Sequence, residues 1–243
     1  MEHMPDDNSR YKDVDYWEER YKTEQCFDWL GDFSKFQHLL EGHMKKDDSI
    51  LVLGCGNSTM SGEMYSAGYR CITNIDYSSV CITNMSARHK DCPGMSWHQM
   101  DMRQLSFPDA SFDVVLEKAT LDALLVDEKD PWKVSAQASC LMHQVLTEVS
   151  RVLKPGGRFL SVTFAQPHFR KRLYARSEYS WSIKHHTYGD SFHYFVYVMT
   201  KGEELSPEDA ALQRRLLEEA KDPPTTITKI QENKEDYLLN IDL

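Results

Sequence analysis

No stretch of this sequence approaches the roughly 20 apolar residues of a membrane span. The polar start, residues 1–10 with Asp6 and Asp7, has neither the basic nor the apolar segment of a signal peptide, so a cytoplasmic location is expected. None of the six cysteines (26, 55, 71, 81, 92 and 140) has a CxxC partner, which argues against a zinc or thioredoxin-like motif and fits reduced thiols. Positive charge is scarce. Lys and Arg number 28 against 38 Asp and Glu, a net charge of -10. A broad nucleic-acid surface needs clustered Lys and Arg, so that class is disfavoured, and a neutral or basic partner is favoured. The local exception is His168-Phe169-Arg170-Lys171-Arg172 with Arg176 beyond it, which reads as a solvated helix face, or else as a docking patch for RNA.

What remains is a 243-residue chain without internal repeats, long enough for one domain with a substantial core. Residues 11–44 read as helical and aromatic-rich. From residue 49 strands and helices alternate. Strands are predicted at 49–53, 69–75, 95–100, 112–116 and 158–164. Helices are predicted over 59–67, stopped by Gly68, and from a Ser78 or Ser79 cap to Lys90. Apolar residues at 142, 145, 146, 149, 152 and 153 keep helical spacing until Lys154-Pro155-Gly156-Gly157, which is expected to end that helix. Runs at 179–186 and 192–199 around Tyr188-Gly189-Asp190 suggest a hairpin. A helix over 207–220, a break at Pro223-Pro224 and an acidic tail follow; from Glu203 onward there are 11 acidic and 5 basic residues. This alternation implies an α/β fold with a largely parallel, doubly wound sheet, whose ligands bind beyond the carboxyl ends of the strands.

At that edge the first strand delivers Gly54-Cys55-Gly56, where glycine lets the backbone approach a ligand closely. Asp76 ends the second strand, where a carboxylate accepts hydrogen bonds from both ribose hydroxyls of an adenosine; a helix cap is the plainer alternative. Thr59 departs from the GxGxxG of dinucleotide dehydrogenases. Asp101, after the third strand, is placed to receive an adenine amino group.

The ordered segments LVLGCGNS (51–58), NIDYS (74–78), MDMRQLSFPDASFDVV (100–115) and LKPGGRF (153–159) resemble the class I, seven-stranded S-adenosylmethionine methyltransferases. Ser58 stands where that family often has a third glycine. The resemblance implies a Rossmann-like sheet with antiparallel sixth and seventh strands. It also implies S-adenosyl-L-methionine as cofactor, with S-adenosyl-L-homocysteine as product. YWEERY (16–21), FDWLGDF (27–33), IDYSSV (75–80) and FDVVLEKATLDALL (112–125) narrow the match to the elongation factor 1-alpha lysine methyltransferases and their methyltransferase-like relatives. Ala119 replaces a glycine of that family's EKGTLD segment. The division implied is an N-terminal helical extension over 1–44 forming part of a cofactor lid, a methyltransferase domain over 45–202, and an acidic helix and tail over 203–243. A monomer acting on elongation factor 1-alpha, without a membrane, is expected.

By the same resemblance Trp17, Tyr21, Trp29, Gly54, Asp76, Tyr77, Asp101, Met102 and Lys118 contact the cofactor, and Gly56 joins them as the second glycine of the turn. Trp17 and Tyr21, four apart, share a helix face, and their rings suit a cationic sulfonium or a water-excluding lid; core packing is the simpler alternative. Methyl transfer to an amine is an in-line displacement, so positioning and desolvation carry much of it. Glu117, Lys118 and Asp122, expected just past the fourth strand, are the catalytic candidates. Glu117 or Asp122 would orient the amine and Lys118 would meet the methionine end. The alternative is a local Glu117–Lys118 or Lys118–Asp122 ion pair. His185, His186 and His193 are expected near the hairpin, either at substrate or as ordinary surface residues, with no metal-binding spacing.

Overall fold

Strand β1 (Ser49–Leu53) is apolar at four consecutive positions, a composition that suits a strand covered on both faces. It lies near the centre of a seven-stranded sheet with β2 (Cys71–Asp76), β3 (Met95–Gln99), β4 (Phe112–Lys118), β5 (Leu153–Thr163), β6 (Trp181–Tyr188) and β7 (Tyr194–Lys201). The order is β3-β2-β1-β4-β5-β7-β6. The first five strands are parallel, and β7 runs antiparallel between β5 and β6. This is the doubly wound sheet anticipated from the residue pattern. The computed structural model describes residues 4–128, 130 and 133–221; the Pro223-Pro224 break, the tail beyond 221 and the first three residues lie outside the described residues.

Side chains alternate across the sheet with the strand period of two. Ile50 and Val52 enter one core layer, Leu51 and Leu53 the other. Helices α1 (Val14–Thr23), α2 (Gln37–Leu40), α3 (Met60–Ser66) and α4 (Ser79–Arg88) cover the first face through Tyr21, Leu40, Met64 and Met85. Helices α5 (Thr120–Leu124), α6 (Ala136–Val152) and α7 (Pro167–Tyr174) cover the second through Leu121, Val145, Leu146 and Tyr174. Helix α8 (Pro207–Lys221) adds Leu212 to that layer. Ser78 caps α4 by accepting from Cys81 N at 3.1 Å, and Gly68, at φ +105, closes α3 as expected. Among the described residues no helix is long and apolar enough to cross a membrane.

Three sequence expectations need correction. Residues 11–44 are not continuously helical: 24–32 form a non-helical strap that turns at Leu30 (φ +62) and Gly31 (φ +100). Strand β4 runs two residues beyond Leu116, because Glu117 pairs in register with Leu53 and Ser161, and Lys118 with Val162. Lys154-Pro155-Gly156-Gly157 belongs to the start of β5, which pairs Leu153 with Phe112 across a register shift.

The β1–β4 pair is where the strand order reverses, and the turn after β1 opens there. Gly54 has φ +58, and a Cβ on it would lie 2.3 Å from Thr120 Cγ2. Gly54→Ala is therefore expected to lower unfolding stability by about 1–3 kcal/mol, the cost of a strained backbone plus a forced contact. Urea titration with an unchanged midpoint would contradict this.

Candidate active site

Asp76 closes β2 with its carboxylate fixed by backbone. Gly56 N donates to Oδ2 at 3.0 Å and Ser78 N to Oδ1 at 2.9 Å. Burial pushes the group up to about 6, against these donors, which favour its charged form. Each oxygen keeps a second lone pair, and the residue lines a cavity of about 680 Å³ with Gly54, Gly56, Tyr77, Met100 and Met102. That volume falls within the usual range of about 300–1,000 Å³ for small-ligand sites. A Cβ on Gly56, whose φ is +52, would come within 3.0 Å of Tyr21 Oη, so the turn needs glycine where it meets the cover above it. A fixed buried acceptor, a glycine turn and an apolar wall at the switch point of the sheet together fit an adenosine-bearing cofactor such as S-adenosylmethionine.

The cover is α1 and the strap. Glu18 accepts from Ser79 N at 2.8 Å and Val80 N at 3.2 Å, docking α1 onto the positive end of α4. Partial burial opposes its charge, but these donors hold Glu18 below the ordinary carboxylate range. Asn84 Nδ2 donates to Tyr21 O at 2.9 Å, and Arg88 donates to Gln25 O. Trp17 and Tyr21 stack at 5.5 Å, and Trp17 Nε1 donates to Tyr11 O at 2.7 Å. Trp29 meets Trp17 edge-on. One cation already occupies this aromatic cluster. Arg20, ion-paired to Glu24 at 2.7 Å, sits 5.1–5.4 Å from the ring centroids of Phe27, Trp17 and Trp29.

Lys118 binds the strap to the sheet. Its Nζ donates to Trp29 O at 2.7 Å, Gly31 O at 3.1 Å and Asp28 Oδ1 at 3.2 Å. Tyr188 Oη takes the intervening carbonyl, Leu30 O, at 2.9 Å. Burial pulls the Lys118 ammonium down and Asp28 opposes this. Asp28 also accepts from the Ser58 hydroxyl, from Thr59 N at 3.2 Å and from Thr59 Oγ1 at 2.7 Å. It thus joins the strap, the glycine turn and β4. Sequence reasoning missed Asp28 and Arg20. Their partners are long-range or aromatic, and the only trace was their place within the FDWLGDF and YWEERY segments.

The two carboxylates at the end of β4 and on α5 have different surroundings. Glu117, wholly buried, accepts from Thr120 N at 3.0 Å, Leu121 N at 3.2 Å and the Ser161 hydroxyl, and it is not on the cavity wall. Burial and the neighbouring Asp122 charge push it up to about 7. Asp122 lines the cavity from α5. Its Oδ1 accepts from Thr163 Oγ1 at 2.5 Å and pairs with Arg170, while its Oδ2 is buried without a well-formed hydrogen bond. Burial raises Asp122, against Arg170, Thr163 and the Phe164 backbone N–H. Neither local ion pair forms: Lys118 goes to Asp28 and Asp122 to Arg170. Ala119 takes φ +60 despite its side chain, so the left-handed turn of the segment survives the loss of glycine, at about 1–2 kcal/mol.

All the residues expected at the cofactor line this cavity except Asp101, which is held by Arg103 through two oxygens at 2.5–3.0 Å. The basic run is not a solvated face. Arg170 is 2% exposed, Lys171 pairs with Asp209 at 2.9 Å and Arg172 with Glu219 at 3.2 Å. His185, His186 and His193 are absent from the cavity wall; His186 faces His43 at 3.4 Å.

A methyltransferase-domain family model matches residues 44–201. The chain is 48% identical to EEF1A lysine methyltransferase 4 of Bos taurus over 99% of its own length and 95% of the relative's. The Mus musculus protein of the same name is 46% identical over the same shares. Among solved structures, N-methyltransferase NodS from Bradyrhizobium japonicum, in complex with S-adenosyl-L-homocysteine, superposes with a TM-score of 0.59 at 16% identity. It covers 81% of this chain and 100% of its own, a likeness of fold. A glycine turn, a fixed Asp76 and a shared sequence over nearly the whole length converge: this chain belongs to the methyltransferase-domain family, among the S-adenosylmethionine-dependent methyltransferases related to EEF1A lysine methyltransferase 4.

Proposed function

We propose that this chain methylates a lysine of translation elongation factor 1-alpha, working as a monomer in the cytoplasm. The observation that carries the reading is near-full-length identity of 46–48% to proteins named for that activity. The bound cofactor supplies an electrophilic methyl group on a sulfonium. In this reading the chain's own residues bind, cover and orient. Asp76 accepts the ribose hydroxyls, Gly54 and Gly56 give close backbone approach, and Tyr77 and Met102 flank the base. Asp101 reaches the adenine amino group only after releasing Arg103. Trp17, Tyr21 and Trp29 form the cover, an N-terminal lid drawn from residues 1–44. Lys118 acts by holding that lid and by forming the wall at the methionine end.

A lysine ammonium has no lone pair, so the substrate must enter as the neutral amine, which a dry cavity favours. Asp122 is the better of the two carboxylates for receiving an amine N–H, because it lines the cavity while Glu117 is spent on Thr120, Leu121 and Ser161. Aligning the amine is where such a group contributes to an in-line displacement. Glu117 serves as the internal brace of α5.

Labelled methyl transfer to purified elongation factor 1-alpha tests the assignment. Label on a lysine, absent with Asp76→Ala, is expected; no label from folded, cofactor-binding protein would refute it. Within the same assay Asp122→Asn should lower kcat by at least about tenfold through lost alignment. Glu117→Gln should leave kcat within about threefold, and a larger loss would return Glu117 to the catalytic group.

Asp76 also sets a pH dependence. Its carboxylate form accepts the hydroxyls, and the free protein holds it at about 6. Cofactor affinity should be flat above about pH 7 and weaken by up to about tenfold per unit below 6, since protonation then competes with binding. Calorimetric titration giving a constant Kd down to pH 5 would exclude this role.

A further inference from the structure

Large apolar side chains exposed singly are ordinary on a protein surface. Here Phe164 (51% exposed) and Phe192 (58% exposed) come from two distant elements, the segment after β5 and the β6–β7 hairpin, yet both line the one cavity described above. Phe27, also exposed, lines it too, but it meets Trp29 at 4.9 Å and Arg20 at 5.1 Å and so belongs to the cofactor cover. Phe192 leans on Tyr194 at 5.2 Å. Asp122 shares that cavity wall, and its carboxylate is close enough to the Phe164 backbone N–H for this donor to favour its charge.

An apolar aromatic rim above a buried acid matches one chemistry closely: an alkyl chain ending in an amine, presented by an apolar segment. The charges on the wall point the same way. Lys12 is paired with Asp127, Lys118 with Asp28 and Arg170 with Asp122, and no other Lys or Arg lines the wall among the described residues. A phosphate-rich polymer would need free Lys and Arg there. We infer that Phe164 and Phe192 form the entry mouth for the protein substrate: the methylenes of the target lysine lie along Phe164, and apolar residues flanking that lysine rest on Phe192. The inference rests on the lysine-methylation reading and adds to it the two residues that select the substrate.

The test is steady-state kinetics with intact elongation factor 1-alpha on the full chain, comparing wild type, Phe164→Ala, Phe192→Ala and the double variant, with cofactor affinity measured by calorimetry alongside. KM for the protein substrate should rise about tenfold for each single variant, the loss of one well-packed aromatic anchor, and further for the double. Cofactor Kd should stay within about twofold, and Phe164→Leu should recover part of the loss through its retained apolar surface. Unchanged KM in an active enzyme would overturn the mouth and leave the function standing. A matching loss of cofactor affinity would also overturn it, by placing the rings in the cofactor site. A wild-type protein that labels no lysine of the factor would remove the function and the mouth together.

Discussion

The ion Lys118 makes with the strap is the contact on which the site's geometry depends. A buried ammonium needs acceptors, and β4 delivers it to the sheet edge facing three of them, Trp29 O, Gly31 O and Asp28. Carbonyls 29 and 31 can both point at one nitrogen because Leu30 and Gly31 turn through positive φ. Tyr188 satisfies the carbonyl between them. Trp29 and Phe27 are thereby brought against Trp17 and Arg20. Without that anchor, a stretch lacking helix or sheet would have little to keep it over the glycine turn. Removing one partner from a buried ionic contact commonly costs about 3–5 kcal/mol.

The same edge concentrates costly charge. Asp76, Glu117, Lys118 and Arg170 are buried, and the Asp122 side chain is 6% exposed. Burial raises the three acids, and their environments then separate them. Asp76 is fixed by backbone and faces the cavity, Glu117 is fixed and faces away, and Asp122 is half-satisfied by Arg170 and Thr163. An acid raised in the folded state contributes stability that is complete below its unfolded pKa and lost as pH rises through the folded one. For Asp76 the loss runs from the ordinary carboxylate range up to about 6, and for Glu117 up to about 7. The fold thus carries the ionised Asp76 carboxylate at neutral pH at the expense of stability, a pattern common at functional sites.

Much of this was legible in the residues. Continuous apolar runs marked β1 and the start of β4, Gly68 and Ser78 marked helix ends, and Gly54, Gly56 and Asp76 marked the switch point, because each of those signals is local. What escaped was set by distant partners. Glu117 and Lys118 look like loop residues until Ser161 and Asp28 are known to wait for them. Arg170 sits in a run of basic residues whose neighbours Lys171 and Arg172 pair with acids of α8, and only the fold reveals Asp122 beside it. The helical reading of 11–44 failed between 24 and 32 because backbone carbonyls there serve Lys118 and Tyr188 instead of a helix. Lys154-Pro155-Gly156-Gly157 carries every mark of a turn, yet the chain is already pairing with Phe112 at Leu153.

Hydrogen exchange on wild type and Lys118→Met tests the anchoring role most directly, since methionine keeps most of the apolar stem of lysine and removes the charged donor. Amides of residues 24–32 should exchange at least about tenfold faster in the variant, as expected of a locally opened segment. The central strands should keep their protection, and S-adenosylmethionine affinity should fall with the loss of the cover. Equal protection of the strap and equal affinity in the two proteins would contradict the account.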